Sequence, residues 1–196
     1  MRKSFHNSVA TALRRLTPEL ARGLWRRQDG AAAVEFALIA TPFLALIFAI
    51  IESALVFFAG QSLETTVAAA SRQIMTGQAM TTAQHTGGTI PWSAADFKSA
   101  VCAQLSTMFD CSKLYVSAQT YTDFASANTS TPVQNGQVTV DYNNLPFNTG
   151  GPGSIVVVQL YYQWPIYVSL LSNNLANVGT DRLLVATSVF MNEPYQ

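Results

Sequence analysis

VEFALIATPFLALIFAIIESALVFFA, residues 34–59, is the stretch whose reading decides the fold. Phe36 to Ile51 carries no charge, and past Glu52 the apolar run resumes from Ser53 to Ala59. As a helix, Val34 to Ala59 would be roughly 39 Å long at 1.5 Å per residue. That exceeds the roughly 30 Å hydrocarbon core of a bilayer, so the segment can span with some tilt. It is also longer than the ~7–15-residue core of a cleaved secretory signal. Small residues spaced for signal cleavage, Ala68 and Ala70, lie well beyond it.

On its N-terminal side the chain is basic. The formal charge balances, with 11 Lys and Arg against 11 Asp and Glu. Residues 1–30 nevertheless hold seven basic groups against Glu19 and Asp29, and the rest of the chain holds four against nine carboxylates. A basic flank holds its end of a span in the cytoplasm, so the C-terminal part is exported. The block adjoins a span and has little aromatic interleaving, so nucleic acid is not the expected partner. Thr17-Pro18-Glu19 reads as a helix start. Leu20, Leu24 and Trp25 among arginines suit a basic amphipathic segment on the inner leaflet, with a disordered tail as the alternative.

On the C-terminal side the helix does not stop with the span. Leu63, Val67, Ala70 and Ile74 continue an apolar stripe at spacings of three and four, while Glu64, Thr65, Ser71 and Arg72 fall on other faces. Such a stripe faces a core. One helix is therefore predicted from about Ala32 to about Met75, ended by Gly77 and then Gly87-Gly88. A second helix opens at Ser93 and runs to about Phe109, with Ala95, Val101, Cys102, Leu105 and Met108 as its apolar content. Strands are expected over Lys113–Phe124, over Gln137–Tyr142 after the tight turn Asn135-Gly136, over Ser154–Trp164, and over Asp181–Asn192. The last should hold Leu183, Val185, Thr187 and Val189 on one side, and Tyr167–Ala176 reads as a short helix. Successive strands without intervening helices imply an antiparallel sheet packed on helices, an α+β design. Cys102 and Cys111, both on the exported side, close a short loop. A disulfide suits an oxidising compartment, and two buried thiols are the alternative.

The junction between the basic flank and the span is the most informative segment. Arg26-Arg27 precede Gln28-Asp29-Gly30. Small residues follow Gly30, so a protease can approach the backbone. A lone carboxylate, Glu35, stands at the lip of the apolar run, where an ionisable group is costly. Here the sequence resembles the TadE/TadG-like minor pilins, or pseudopilins, of tight-adherence (Flp, type IVb) pili. The resemblance is carried by Gly30-Ala31-Ala32-Ala33-Val34-Glu35-Phe36-Ala37-Leu38. Pro42, Ala68-Ala69-Ala70-Ser71-Arg72 and the terminal Ser188-Val189-Phe190-Met191-Asn192-Glu193-Pro194-Tyr195 add to it. It is strong over about residues 26–75.

That resemblance implies a pilin-like organisation: a leader over 1–30, a transmembrane helix over 31–60, and an exported periplasmic α+β domain over 61–196. A prepilin peptidase would cut between Gly30 and Ala31 in a bacterial inner membrane. Glu35 would then pair with the free amine of a neighbouring subunit. The implied partners are other pilins through the N-terminal helix, the peptidase, the inner-membrane assembly platform and membrane lipid. Phe36, Pro42 and Glu52 join Glu35 as candidate assembly residues. Pro42 leaves the Leu38 carbonyl without its helix partner, which predicts a kink or melted turn, or a proline tolerated in the span. Glu52 is read either as a partner for another protein or as a headgroup-level residue. The alternative to a pilin is an unprocessed, anchored periplasmic binding or adhesion module.

No catalytic constellation stands out. His85 is the single exported histidine, so zinc clusters and Ser–His or Cys–His pairs have little to build from. Asp96, Asp110, Asp123, Asp141 and Asp181 are scattered. Asp141-Tyr142-Asn143-Asn144 suits a turn better than a calcium loop. The expectation is a non-enzymatic protein without a cofactor or metal.

Overall fold

The computed structural model describes residues 30–82, 89–105, 107–167 and 175–194. The basic leader with its helix start, His85, the Gly87-Gly88 stop and most of the expected Tyr167–Ala176 helix lie outside the described residues. Contacts divide the chain into two units, Met1–Phe48 and Ala49–Gln196.

A single helix, α1 (Ala31–Met75, 45 residues), contributes to both units. Ala, Leu, Phe and Ile dominate it, and several of its hydroxyls bond back to the preceding turn, whereas that of Ser71, expected on a face away from the core, is buried among the described residues without a partner. Thr41 Oγ1 donates to the Ala37 carbonyl at 2.7 Å and Ser53 Oγ to that of Ala49 at 2.9 Å. The helix runs through Pro42 without interruption, so no turn is melted there. It ends as expected. Gly77 takes φ 71°, its N–H donates to Ile74 at 3.0 Å, and the Ala79 N–H reaches back to Gln73 at 2.8 Å. These bonds satisfy carbonyls of the last turn.

In the second unit, β1 (Met80–Thr82) and β2 (Thr89–Pro91) form a small antiparallel ribbon. Helix α2 (Ala94–Gln104) begins with a capping box. Asp96 N–H donates to Ser93 Oγ, and Ser93 N–H donates to Asp96 Oδ2 at 2.9 Å. The helix is shorter than the sequence predicted. Leu105 is already extended (φ −70°, ψ 145°), Ala95 and Met108 are exposed, and the buried residues are Phe97 and Val101. The cause lies downstream. Cys102 and Cys111 are disulfide-bonded with Cα atoms 6.1 Å apart. A helix running on past Phe109 would hold them roughly 13 Å apart, beyond a disulfide's reach. Phe109 instead drops edge-on against Tyr162 and Trp164.

The main sheet has three strands: β3 (Leu114–Tyr121), β6 (Ile155–Pro165) and β7 (Asp181–Met191). Their order is β3-β6-β7, and both pairings are antiparallel. Between β3 and β6 a hairpin joins β4 (Val133–Gln134) to β5 (Gln137–Val138) through Asn135 and Gly136, both at positive φ. Two strand expectations shrink for local reasons. Strand β3 ends at Tyr121 because Asp123 Oδ1 accepts the Ser126 N–H at 2.7 Å and caps a 3-10 turn. The stretch Gln137–Tyr142 yields only β5 because Asp141 accepts the Asn143 N–H at 2.9 Å and closes a turn.

Even-numbered sheet residues face the helices. Leu114, Val116, Ala118, Val156, Val158, Leu160, Tyr162, Leu184 and Ala186 pack with Phe97 and Val101 of α2. From α1 they receive Val56, Ala59, Leu63, Val67, Ala70 and Ile74, which extends the expected stripe by two turns. On β7 the core side is therefore the Leu184–Ala186–Phe190 side, not that of Val185 and Val189. Asn192, fully buried, ties the end of β7 to the preceding loop. Its Nδ2 donates to the Thr149 and Gly151 carbonyls at 2.9 and 3.0 Å. The Glu193 N–H then donates to Met75 at the end of α1. The architecture is the expected α+β design: a long N-terminal helix, then a small domain with a second helix and an antiparallel sheet.

Candidate anchoring and assembly helix

Helix α1 is long and apolar enough to cross a membrane, and its most apolar window is entirely unburied. Large apolar side chains stand exposed along it from Val34 to Phe58, Phe36 at 73% and Phe57 at 75%. In water such a surface is unfavourable by about 25 cal/mol per Å². A run this long and this bare calls for lipid or other helices.

The candidate residues fall into two groups. Gly30 immediately precedes the first helical residue, Ala31, and is exposed, with open space around the position a Cβ would take. Glu35 lies one turn on, which places it on the same helix face as Ala31. It is exposed, as is Phe36. Pro42 is exposed on the same apolar segment. All five belong to the first unit.

Glu52 belongs to the second unit and has a different environment. It is 6% exposed, and its Oε1 accepts the backbone N–H of Tyr167. Tyr167 itself is 83% exposed. The carboxylate on the apolar helix is thus engaged by the domain's own backbone, from far along the chain. No sequence signal links the two positions. The groove beside this region, bordered by Arg182 and Glu64, was equally invisible, because Arg182 reads only as one of four scattered basic residues.

Four of the five scattered aspartates cap helical turns or close a turn, while Asp181 opens β7. Ser93 hydrogen bonds hold the Asp96 carboxyl below its ordinary value, Ser112 does so for Asp110, and backbone donors from Ser126 and Asn143 do so for Asp123 and Asp141. Among the described residues no three His, Cys, Asp or Glu side chains are grouped to hold a metal. On the sheet's outer face Tyr115 stacks on Tyr142 at 4.1 Å. Burial pushes the Tyr161 phenol up to about 12.

A bare apolar helix followed by a capped, disulfide-bonded α+β domain suits a protein anchored through that helix, the one candidate span among the described residues. The family model described as TadE-like protein matches residues 30–72, nearly the whole of α1. Over this helix the chain is similar to TadE-like proteins, a likeness that points to association with the Tad pilus. No curated protein and no solved structure matches the chain.

Proposed function

We propose that the chain is a minor pilin, or pseudopilin, that helps start, prime or tip a tight-adherence pilus. On this reading it is made as a precursor in the bacterial inner membrane and matured by a prepilin peptidase between Gly30 and Ala31. The basic leader stays cytoplasmic and the α+β domain is periplasmic, where an oxidising milieu suits the Cys102–Cys111 disulfide.

One coincidence carries the reading. The TadE-like match begins at residue 30 and the helix begins at Ala31, with Gly30 exposed at the junction. Cleavage there would create an ammonium at Ala31, beside the lip of the apolar run. An unpaired carboxylate at Glu35 is expensive in the same place. Pairing Glu35 of one subunit with the Ala31 amine of another offsets both desolvation costs and fixes the register of neighbouring helices. The exposed side chains from Val34 to Phe58 would then pack against other pilin helices once the subunit leaves the lipid. The role is structural and non-catalytic.

The test is intact mass and N-terminal sequencing of the protein from native membranes, with and without the peptidase. A chain starting at Ala31 only when the peptidase is present supports the reading. A chain that keeps its leader in both favours a permanently anchored binding or adhesion module.

A further inference from the structure

We propose that the groove between α1 and the start of β7 binds the headgroup of a phospholipid, with the phosphodiester at Arg182 and an ethanolamine ammonium at Glu64. The inference rests on the reading that α1 lies in a bilayer. The groove, about 280 Å³, is lined on its helix side by Val56, Phe57, Gly60 and Glu64, and across from them by Leu184 and Arg182. Its volume is near the lower end of small-ligand sites, which run from about 300 Å³. That suits a headgroup whose acyl chains lie outside, along the helix.

Three observations fix the occupant. The first is depth. Exposed apolar side chains line α1 from Val34 to Phe58, about 36 Å of helix against a hydrocarbon core of about 30 Å. Phe57 and Phe58 therefore mark the outer interface, and the groove straddles it. Tyr167 is exposed and held through its backbone to Glu52, six residues before Phe58 on the helix.

The second observation is charge. Arg182 and Glu64 border one groove and form no ion pair with each other. Arg182 Nη1 donates to the Leu175 carbonyl at 3.1 Å, and the guanidinium makes no ion pair among the described residues. Its remaining donors suit a phosphate, which a guanidinium grips with paired hydrogen bonds. Glu64 accepts from the Gln61 amide at 3.3 Å, a neutral partner that leaves its charge uncompensated. The third is polarity. Val56 and Phe57 form the wall nearer the span, while Gln61 and Glu64 form the wall farther from it. That order matches a lipid entering from the bilayer with its headgroup outward.

The experiment is native mass spectrometry of the purified full chain in detergent. The added probes are phosphatidylethanolamine and a diacylglycerol with the same acyl chains. One phospholipid per chain should be retained, and the diacylglycerol should not. Arg182→Gln should lower retention by about tenfold, a change of ~1.4 kcal/mol in binding. Gly60→Leu tests the groove without touching Arg182. A side chain there meets open space within the groove, so it fills the site rather than straining the helix. It should lower retention by a similar factor, while Arg72→Gln on the exposed face of α1 leaves it unchanged. Equal retention of diacylglycerol would overturn the proposal, as would retention insensitive to both groove variants. So would a lipid-free dimer that Gly60→Leu breaks, because the occupant would then be a second copy of the chain. None of these readouts depends on processing or piliation. A failure of the pilin reading therefore shows in the N-terminal sequencing, and a failure of the groove shows here.

Discussion

The two halves of α1 draw their apolar residues from the same few types and differ in environment. From Ala31 to Phe48 the side chains are exposed almost without exception. From Ala49 to Met75 one stripe, Val56, Ala59, Leu63, Val67, Ala70 and Ile74, is buried against the sheet and α2. Helix propensity does not distinguish them, since Ala, Leu and Phe serve both. What differs is spacing. The second half interrupts its apolar residues with Gln61, Glu64, Thr65 and Arg72 on the other faces, so it can be half in water. The first half is apolar all round and has no such face. The two glutamates show the same division. Glu35 is exposed on the bare half, while Glu52 is buried and hydrogen-bonded to the domain. On the proposed reading the exposed carboxylate of the first half pairs with another subunit, whereas the one in the second half is hydrogen-bonded within the chain.

The largest effect should follow from attacking that difference at Glu35. Glu35→Ala removes an exposed group on the bare half, so the purified chain should unfold at an unchanged temperature. Breaking a desolvated pair across subunits costs about 3–5 kcal/mol. Pilus assembly, counted by electron microscopy or sheared-pilus yield, should fall on the order of a hundredfold or more. Normal piliation with this variant would mean that the first half does no more than anchor.

Next in size is a matched pair of truncations. Leu63 is fully buried, so Leu63→Ala should cost the domain roughly 2–5 kcal/mol. Leu44 sits on the bare half, and Leu44→Ala should change stability by less than about 0.5 kcal/mol. Thermal or denaturant unfolding of the detergent-solubilised full chain measures both. Equal costs would show that the two halves are not distinct.

How far the sequence spoke for itself follows the same line between local and distant causes. Helix α1 was legible over nearly its whole length because periodicity repeats across it, and Gly77 marks its end chemically. Strand β6 announced itself through Ile155–Val158, and the β4–β5 turn through Asn135-Gly136. The end of α2 was not legible, because it is set by a disulfide to Cys111 and by Phe109 settling on Tyr162 and Trp164. The brevity of β5 depends on the side chain of Asp141 competing with the sheet for a backbone donor. The partner of Glu52 comes from Tyr167, and the groove joins Gly60 and Glu64 to Arg182. No window of sequence contains those pairs.

The disulfide sharpens the contrast from the domain side. It closes a loop with a sequence separation of 9. On the chain-entropy account such a loop stabilises by roughly 2–3 kcal/mol. Replacing Cys102 and Cys111 together by serine should lower domain stability by that order. It should leave the N-terminus of the mature protein unchanged, because the proposed cleavage junction lies in the other unit. Loss of processing in the double variant would show that the peptidase senses the folded domain.

The smallest expected effect is a dependence on pH, and its sign follows from the capping aspartates. Asp96 sits below its ordinary value of 3.8 because Ser93 donates to its carboxylate through side chain and backbone. A depressed folded value means that the unfolded chain binds the proton more readily. The contribution is therefore fully present above the unfolded value and is lost as pH falls through the folded one. Asp110, Asp123 and Asp141 shift in the same direction through their own donors. The domain should therefore lose stability progressively below about pH 4. In Asp96→Asn the helicity of α2 should be lower at neutral pH and less sensitive to acid, read as the pH slope of the unfolding midpoint. Among the described residues the bare half of α1 has no capping aspartate. A pH slope that survives with all four aspartates replaced by asparagine would place the titrating groups outside the domain's caps.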